Sequence, residues 1–401
     1  MPRTPALFEQ GLRLHQQGQF AEAEQIYRRI LRSEPVHFDA LHLLGVLCGQ
    51  TERLSEALDL LQCALRQRPG SAAALNNLGN TLGSLGQHDK AVVAFEQALA
   101  LRPNDAKALC NRGNALRRLQ RADEALCSFD AALALKADYP EALIGRAEAL
   151  LSLKRKDEAV ETFKRALPLG KDVEQLHFVL ASLGAEPAPT AAPSGYVEAL
   201  FDAYADNFDA HLLERLGYRT PNLLLDALSR VSQLEAATIA DLGCGTGLCG
   251  PLLRPWASQL VGVDLSERML AKAGELGAYD ELVKADVVSF LKGRAQCFDL
   301  IVAADVLVYL GDLDATFAST SASLRGPGLF AFSVEACDAP HTDFLLGPTR
   351  RFSHSLAYIE RLAARHGFKR VQQQRAALRK ENDVPVEGWL VVVQRVKATE
   401  P

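Results

Sequence analysis

The sequence predicts two domains of different class, an all-α repeat solenoid followed by an α/β doubly wound domain that ends in an antiparallel hairpin. Three observations support this prediction. The first half repeats one pattern every 34 residues, and the second half alternates apolar strand-like runs with helical patterns. The last two strand-like runs are joined by only a turn, which is too short for a parallel crossover. A length of 401 residues fits two or three domains.

The repeat shows at positions that stay in register through the first half of the chain. A shift of 34 residues aligns small residues at Gly11, Gly45, Gly79 and Gly113, and each repeat reads as two amphipathic helices. The same shift aligns one bulky position, filled by Tyr27, Leu61, Phe95, Phe129 and Phe163. The small residues let paired helices approach, and the bulky residue fills the space between them. Over five units, about 4–173, this pattern resembles the tetratricopeptide repeat, and the resemblance implies a protein or peptide partner.

Two segments follow the repeats. Residues 172–183 (DVEQLHFVLASL) predict one more helix, which we expect to cap the stack, so the first domain spans residues 1–183. Residues 184–195 contain Pro187, Pro189 and Pro193 and few bulky apolar side chains, a composition typical of a semi-rigid linker. We therefore place the domain boundary in this linker.

A glycine-rich loop opens the doubly wound domain, which we place at residues 237–401. The apolar run 237–240 leads into DLGCGTG, so Gly243, Gly245 and Gly247 lie where the backbone must turn sharply beside a ligand. Asp264 ends the next predicted strand, in a position to bind a ribose diol.

Two kinds of cofactor compete for this loop. The spacing GxGxxG favours a dinucleotide, but Asp241 at the end of the first strand would repel a pyrophosphate. Four aspartates end predicted strands, at the sheet edge where such folds bind ligands: Asp241, Asp264, Asp286 and Asp305. Carboxylates in this number suit a sulfonium cation with an amino acid tail, and we favour S-adenosylmethionine.

Residues 237–396 resemble the class I S-adenosylmethionine-dependent methyltransferases, a Rossmann-like family that carries the same motif and hairpin. The resemblance implies that Asp241, Gly243, Gly245 and Gly247 surround the methionine part of the cofactor. It further implies that Asp264 binds the ribose hydroxyls, Asp286 the adenine amino group, and that Asp305 lies near the methyl group. For Asp286, an N-cap of the following helix is the alternative. The order of repeats, linker and methyltransferase also resembles a bacterial family of repeat-containing methyltransferases.

Residues 196–236 form a predicted helical extension that carries five aromatic side chains, Tyr196, Phe201, Tyr204, Phe208 and Tyr218. Either this segment packs on the sheet edge, or it closes over the cofactor as in the methyltransferases that it resembles. In the second case an aromatic ring such as that of Tyr204 contacts the sulfonium.

Residues that could act as a general base lie downstream. The candidates are His354, Tyr309, Glu335 and His341, and His354 leads because histidine titrates near neutrality. Residues 335–352 read as a loop over the strand ends, in which Arg350 and Arg351 suit an anionic substrate. The sequence lacks the Asn-Pro-Pro-aromatic segment of amino-group methyltransferases and contains no metal-ligand set.

Composition excludes several classes of function. With 44 Lys+Arg against 49 Asp+Glu, the chain lacks the basic excess of a nucleic-acid-binding protein. The longest apolar run, Leu300 to Leu310, is too short for a membrane span, and eight scattered cysteines indicate a reducing, cytoplasmic setting. Two function classes remain: an active methyltransferase whose repeats recruit a partner, and a repeat-based scaffold with a non-catalytic cofactor-binding domain.

The repeats themselves offer one candidate for peptide binding. Asn77 and Asn111 are one period apart, as are Asn80 and Asn114. Because Asn80 follows Asn77 by three residues, and Asn114 follows Asn111 by three, the two asparagines of each repeat lie on one face of its first helix. An asparagine amide both donates and accepts hydrogen bonds, so these side chains could clamp an extended peptide backbone. The alternative is that they bond to neighbouring helices or simply face water.

Overall fold

The computed structural model describes residues 4–205, 212, 217–232, 234–381 and 383–396. The chain divides into two compact units, Met1–Val173 and Glu174–Pro401, which we call the repeat unit and the α/β unit. Within the described ranges, the helices are too short or too polar to cross a bilayer.

Five consecutive helix pairs build the repeat unit, as the 34-residue period predicts. Each pair joins a first helix to a second through a tight turn, and the second helix contacts the first helix of the next pair. The helices are α1 Thr4–Gln16, α2 Phe20–Ser33, α3 Phe38–Gln50, α4 Leu54–Gln67, α5 Ala72–Ser84, α6 His88–Leu101, α7 Ala106–Arg118, α8 Ala122–Leu135, α9 Pro140–Ser152 and α10 Lys156–Ala166.

The small and bulky positions of each repeat meet inside a helix pair. A Cβ atom built on Gly79 in α5 would lie 2.6 Å from the ring of Phe95 in α6, and one built on Gly113 would lie 2.7 Å from Phe129. Both rings are buried. The glycines therefore give the helices the close approach that the aromatic rings then fill.

Two of the four asparagines predicted to bind peptide bond to neighbouring repeats. The amide of Asn77 is 2.8 Å from Nε2 of His42, and Asn111 donates to Oδ1 of Asn76 at 3.2 Å. Asn80 is exposed. Two of the four side chains proposed for a peptide clamp thus serve contacts between first helices.

Three described helices precede the first strand of the α/β unit, which continues as a sheet with helices between the strands. The helices are α11 Val173–Ser182, α12 Ser194–Tyr204, α13 Thr220–Ser229, α14 Gly250–Leu253, α15 Glu267–Glu275, α16 Val287–Leu291, α17 Asp314–Ser323 and α18 Leu356–Arg365. The strands are β1 Ala237–Leu242, β2 Ala257–Asp264, β3 Glu281–Lys284, β4 Phe298–Ala303, β5 Leu324–Ala336, β6 Phe344–Leu346, β7 Phe352–His354, β8 Phe368–Glu381 and β9 Val384–Arg395.

The sheet has the topology expected of a doubly wound fold with a terminal hairpin. Strands β3, β2, β1, β4 and β5 are parallel neighbours in that order. Strand β9 pairs antiparallel with β5 and with β8, which confirms the predicted hairpin. Separate apolar clusters cover the two faces, one built around Phe317 and Phe330, the other around Leu224 and Leu390. The carboxyl ends of the parallel strands therefore meet at one edge of a buried sheet.

The structure differs from the sequence prediction at the start of the α/β unit. The helix predicted to cap the repeats, α11, belongs to the α/β unit, where Phe178 packs against Phe352 of β7 and Tyr196 of α12. The boundary between the units accordingly lies after Val173 rather than after Leu183. From its sequence, an apolar helix such as α11 could pack on the repeats or on the sheet. The contact of Phe178 with Phe352 assigns α11 to the sheet.

A second difference concerns residues 335–352, which the sequence presents as a loop. This stretch contains β6 and leads into β7, and the two short strands form an antiparallel pair that joins the end of β5. His354 thus lies in a strand.

Candidate functional site

The glycine-rich loop turns directly after β1. Gly243 and Gly245 have φ of 64° and 56°, a left-handed conformation that side chains rarely adopt. A Cβ atom on Gly243 would lie 2.5 Å from the side chain of Val306, so the loop also needs glycine for close packing. These two residues line a cavity of about 190 Å³ at the carboxyl edge of the sheet.

Asp264, at the end of β2, holds the loop in place. Its Oδ2 accepts a hydrogen bond from the N–H of Gly245 at 2.9 Å, and its Oδ1 accepts one from the N–H of Ser266 at 2.9 Å. Burial raises the pKa of Asp264, and these N–H groups oppose the rise. The carboxylate lines the cavity with its orientation fixed by backbone.

Asp241 lies behind the loop, where only 1% of its surface is exposed. The hydroxyl of Tyr279 donates to its Oδ2 at 2.7 Å. Burial raises the pKa of Asp241 to about 7, although the Tyr279 hydroxyl opposes the shift. Neither Asp241 nor Gly247 is among the residues that line the cavity, so both support the loop from behind. Direct contact of these two residues with a cofactor stays a prediction.

The cavity brings together most of the residues predicted for the site. Its floor is the strand edge and its cover comes from the segment before β1, with Val197 and Phe201 of α12 pointing in. The predicted site residues that line it are Gly243, Gly245, Asp264, Asp286, Asp305 and Tyr309. Asp286 also caps α16, because its Oδ1 accepts hydrogen bonds from the N–H groups of Val288 and Ser289 at 3.0 Å each. The N-cap interpretation of Asp286 is thus confirmed, and its contact with the adenine amino group stays a prediction.

Asp305 follows β4 in a left-handed conformation, with φ of 56°. Ser333 of β5 accepts from its N–H at 2.8 Å and donates to its Oδ1 at 3.1 Å. The guanidinium of Arg379 lies 3.3 Å from its Oδ2. Partners on β5 and β8 therefore hold this carboxylate against the cavity.

Arg379 is the centre of a charge cluster, which we define as Asp305, Glu335, Arg351, Arg379 and Glu381. Its side chain is 3% exposed and contacts carboxylates from three segments of the chain. Arg351 contacts Glu381 and the hydroxyl of Tyr309. Arg351 and Arg379 line the cavity, whereas Glu335 and Glu381 are not among its lining residues and neutralise the guanidinium groups from behind.

Tyr309 faces the cavity beside this cluster. Its ring meets the ring of Phe201 edge to face, with centroids 5.5 Å apart. Burial raises the pKa of its hydroxyl, and Arg351 only partly opposes this rise. The raised pKa keeps the proton on Tyr309 at neutral pH, and a catalytic role for this hydroxyl stays a prediction.

His354 does not reach the cavity, which corrects its prediction as the leading general base. It is fully buried in β7, and its Nε2 donates to the carbonyl oxygen of Gly311 at 3.1 Å. Burial lowers its pKa to about 4, so the ring stays neutral in its structural position. His341 is exposed away from the cavity.

Tyr204, predicted to contact the sulfonium, does not face the cavity, whereas another aromatic ring of the same helix does. Tyr204 is 44% exposed and does not line the cavity, whereas Phe201, one helical turn earlier, does. Phe208 lies outside the described residues. The interpretation of α12 as a cover is nevertheless supported by its polar anchors, Glu198 to Lys284 at 2.8 Å and Asp202 to Ser266 at 2.5 Å.

The predicted linker forms part of the cavity wall, and we call residues 190–192 the strap. The N–H of Ala192 donates to the carbonyl oxygen of Tyr309 at 2.8 Å, and Thr190 accepts from the N–H groups of Gly311 and Asp312 at 2.8 and 2.9 Å. Ala191 and Ala192 line the cavity. Residues predicted to separate two domains thus complete the site of one.

Several contributors could not be inferred from the sequence. Arg379 lies in an ordinary charged stretch, RAALRKE, and Tyr279 lies in a turn before β3. The fold brings each of these two residues to its partner, and the neighbouring sequence does not indicate that contact. Among the described residues, we find no group of three or more side chains suited to bind a metal ion.

Comparison with family models identifies both halves of the chain. Residues 240–332 match the model of a methyltransferase domain, and residues 8–72, 72–105 and 110–173 match tetratricopeptide-repeat models. The chain therefore contains tetratricopeptide repeats and a methyltransferase domain, a class that uses S-adenosylmethionine.

Curated relatives match only the second half. A trans-aconitate 2-methyltransferase of Klebsiella pneumoniae (strain 342) is 35% identical over 111 residues, 27% of this chain and 43% of the relative. A trans-aconitate 2-methyltransferase of Acidovorax ebreus (strain TPSY) is 31% identical over 174 residues, 43% and 63% of the two chains. A ubiquinone biosynthesis O-methyltransferase of Aromatoleum aromaticum (strain DSM 19018 / LMG 30748 / EbN1) is 28% identical over 116 residues, 28% and 50%.

The chain thus spans about half the length of the curated relatives that it matches. Among solved structures, MamA is 23% identical with a TM-score of 0.38, and the match covers 41% of this chain and 91% of MamA.

Proposed function

We propose, from the premise that this chain joins tetratricopeptide repeats to a methyltransferase domain, that its α/β unit transfers the methyl group of S-adenosylmethionine to an acceptor bound in the described cavity. The observation that carries this proposal is the pairing of Asp264 with the loop at Gly245, at the carboxyl edge of a doubly wound sheet. S-adenosylmethionine supplies an activated methyl group. The chain itself must therefore bind the cofactor and the acceptor, orient them for transfer, and exclude water.

The residues of the cavity fit this cofactor. Asp264 has its carboxylate held by two backbone N–H groups, and the remaining lone pairs can accept from a ribose diol. Gly243 and Gly245 leave the loop without side chains where the methionine part would lie. Apolar side chains beside Asp286, among them Leu265 and Val287, suit the faces of an adenine ring.

The segment before β1 would exclude water from the reaction. Phe201 and Val197 of α12 cover the cavity, and the strap closes it beside Tyr309. Charged residues at the far end, Asp305 and Arg379, hold each other in place and so preserve the shape of the acceptor side.

We further infer that the repeats bind a protein or peptide partner and thereby bring the α/β unit to its acceptor. Because Asn77 and Asn111 are engaged between repeats, Asn80 and Asn114 are the members of the two pairs left to test as contacts. A cytoplasmic location and the lack of a nucleic-acid partner stay predictions from composition.

A pair of aspartate variants tests the cofactor proposal. Two charge-assisted hydrogen bonds to a ribose, at about 1.5–3 kcal/mol each, imply that Asp264→Ala weakens S-adenosylmethionine binding at least ~100-fold in calorimetry. Asp280→Ala is the matched control, because Asp280 accepts from the N–H of Leu260 at 2.7 Å but does not line the cavity. Equal affinity of a folded Asp264→Ala variant and the parent would remove Asp264 from the site.

A further inference from the structure

The carboxylates that line the described part of the cavity are already engaged. Asp264 and Asp286 each accept hydrogen bonds from two backbone N–H groups. Asp305 accepts from Ser333 and is paired with Arg379. An amine or hydroxyl acceptor must give up a proton on methylation. With Asp264 and Asp286 assigned to the cofactor, Asp305 is the carboxylate among the described lining residues that is left to receive that proton, and it is already bound to Ser333 and Arg379.

Donor groups, in contrast, face the cavity beside Asp305. Arg351 is three-quarters buried, and its contacts with Glu381 and Tyr309 use two of the five N–H groups of a guanidinium. Because the oxygen of the Tyr309 hydroxyl accepts from Arg351, the hydroxyl hydrogen can be donated to a ligand in the cavity. A fork of N–H groups beside a hydroxyl donor matches the two oxygens of a carboxylate.

We propose that the methyl acceptor is a carboxylate, which Arg351 and Tyr309 hold at the Asp305 end of the cavity. This inference rests on the proposed function, because it names the class of molecule that the same cavity methylates. A carboxylate oxygen forms the new bond to the methyl carbon, the bond from that carbon to sulfur breaks, and its electron pair stays on sulfur. The products are a methyl ester and S-adenosylhomocysteine, and no proton has to be removed.

The chemistry of the product gives the first test. The full chain is incubated with S-adenosylmethionine carrying a tritiated methyl group and with an extract of the cells that encode it. Methyl esters release their label as volatile methanol in mild alkali, whereas methylated amines and aryl ethers keep it. We expect alkali-labile label, and label that stays bound in alkali overturns the proposal.

The acceptor carboxylate has two possible sources, a protein side chain or terminus and a small organic acid. Passing the labelled extract through a filter that retains proteins distinguishes them, and alkali-labile label in either fraction supports the proposal. If neither fraction is labelled although calorimetry shows that S-adenosylmethionine binds, methyl transfer itself is contradicted.

Substitution of Arg351 gives the second test, with the labelled fraction as acceptor. Arg351→Gln is expected to raise the KM for the acceptor ~10–100-fold, because it removes one charge-assisted contact. The affinity for S-adenosylmethionine should stay unchanged. Arg351→Lys should restore part of the loss, and Arg361→Gln, an exposed arginine outside the cavity, should match the parent.

A change in the affinity for S-adenosylmethionine in Arg351→Gln, with an unchanged KM for the acceptor, would overturn the proposal. Arg351 would then hold the carboxylate of the cofactor's own methionine tail. Thermal unfolding followed by the fluorescence of Trp256 and Trp389, both in the α/β unit, checks that each variant is folded.

Discussion

The two units bury different kinds of side chain, although both depend on close packing. In the first four helix pairs of the repeat unit the bulky residue, such as Phe95 or Phe129, fills the space above a glycine. In the α/β unit the buried set also includes Asp241, His354 and Arg379, side chains that carry or can take up a charge near neutral pH. Burial shifts pKa values in both units, as at Tyr27 and Asp241, but in the second it also positions groups that face a cavity.

The burial of Asp241 predicts that the stability of the α/β unit depends on pH. The pKa of Asp241 is about 7 in the folded chain against 3.8 for an ordinary aspartate, so its contribution to stability is present below pH 3.8 and is lost as pH rises through 7. With about 1.4 kcal/mol per pKa unit, the loss approaches ~4 kcal/mol. Asp241→Asn should remove this dependence while keeping an oxygen that accepts from Tyr279.

Urea unfolding at several pH values, followed by tryptophan fluorescence, measures this effect, because both tryptophans lie in the α/β unit. Because the pKa of His354 is lowered, this residue makes the free energy of unfolding fall as pH drops from 6.5 to about 4, which is opposite to the effect of Asp241. The parent and the variant both contain His354, so its effect cancels in their comparison. We expect the free energies of unfolding of the two proteins to diverge from pH 4 to pH 8. Parallel curves would show that Asp241 does not titrate as described.

A glycine substitution is expected to act on the repeat unit alone. Gly79→Ala places a Cβ atom 2.6 Å from the ring of Phe95, so the helix pair must shift at a cost of about 1–3 kcal/mol. Gly83→Ala in the same helix is the control, because nothing lies within 4 Å of its Cβ position. Circular dichroism should show earlier helix loss in the first variant only, with unchanged tryptophan fluorescence. Equal melting of both variants would contradict the packing described for the repeats.

The smallest effect is expected at the strap. Ala192→Pro removes the N–H that donates to Tyr309, at a cost of about 0.5–1.5 kcal/mol, which should weaken S-adenosylmethionine binding roughly 2–10-fold. Ala191→Pro is the matched control, since the N–H of Ala191 takes no part in the hydrogen bonds of this bridge. The same affinity in both variants would show that the strap covers the cavity without supporting it.

The two units also differ in how far the sequence predicts them. A constant period of 34 residues specifies the repeats because each helix contacts its neighbours in sequence, and the pairing of Gly79 with Phe95 follows from that pattern. Asp264 and Gly245 could be predicted as well, because a strand end and a glycine loop are local features.

The rest of the α/β site depends on contacts between distant segments. Arg379 reaches Asp305 across 74 residues, and the register of β9 between β5 and β8 brings them together. His354 looked like a base because its residue type titrates near neutrality, but the fold buries it against Gly311. The composition of residues 184–195 predicts a linker, but the backbone hydrogen bonds of the strap show that part of this segment packs on the α/β unit. Proline-rich composition is compatible with both structures, so the sequence does not distinguish them.

The central claim is that the α/β unit, from Glu174 onward, is a complete cofactor-binding unit that includes α11 and the strap. Calorimetric titration of residues 174–401 with S-adenosylmethionine, beside residues 196–401 and the full chain, tests it most directly. We predict that residues 174–401 bind with the affinity of the full chain and that residues 196–401, which lack Phe178 and the strap, bind far more weakly. Equal affinity of both fragments, or no binding by the folded longer fragment, would contradict the account.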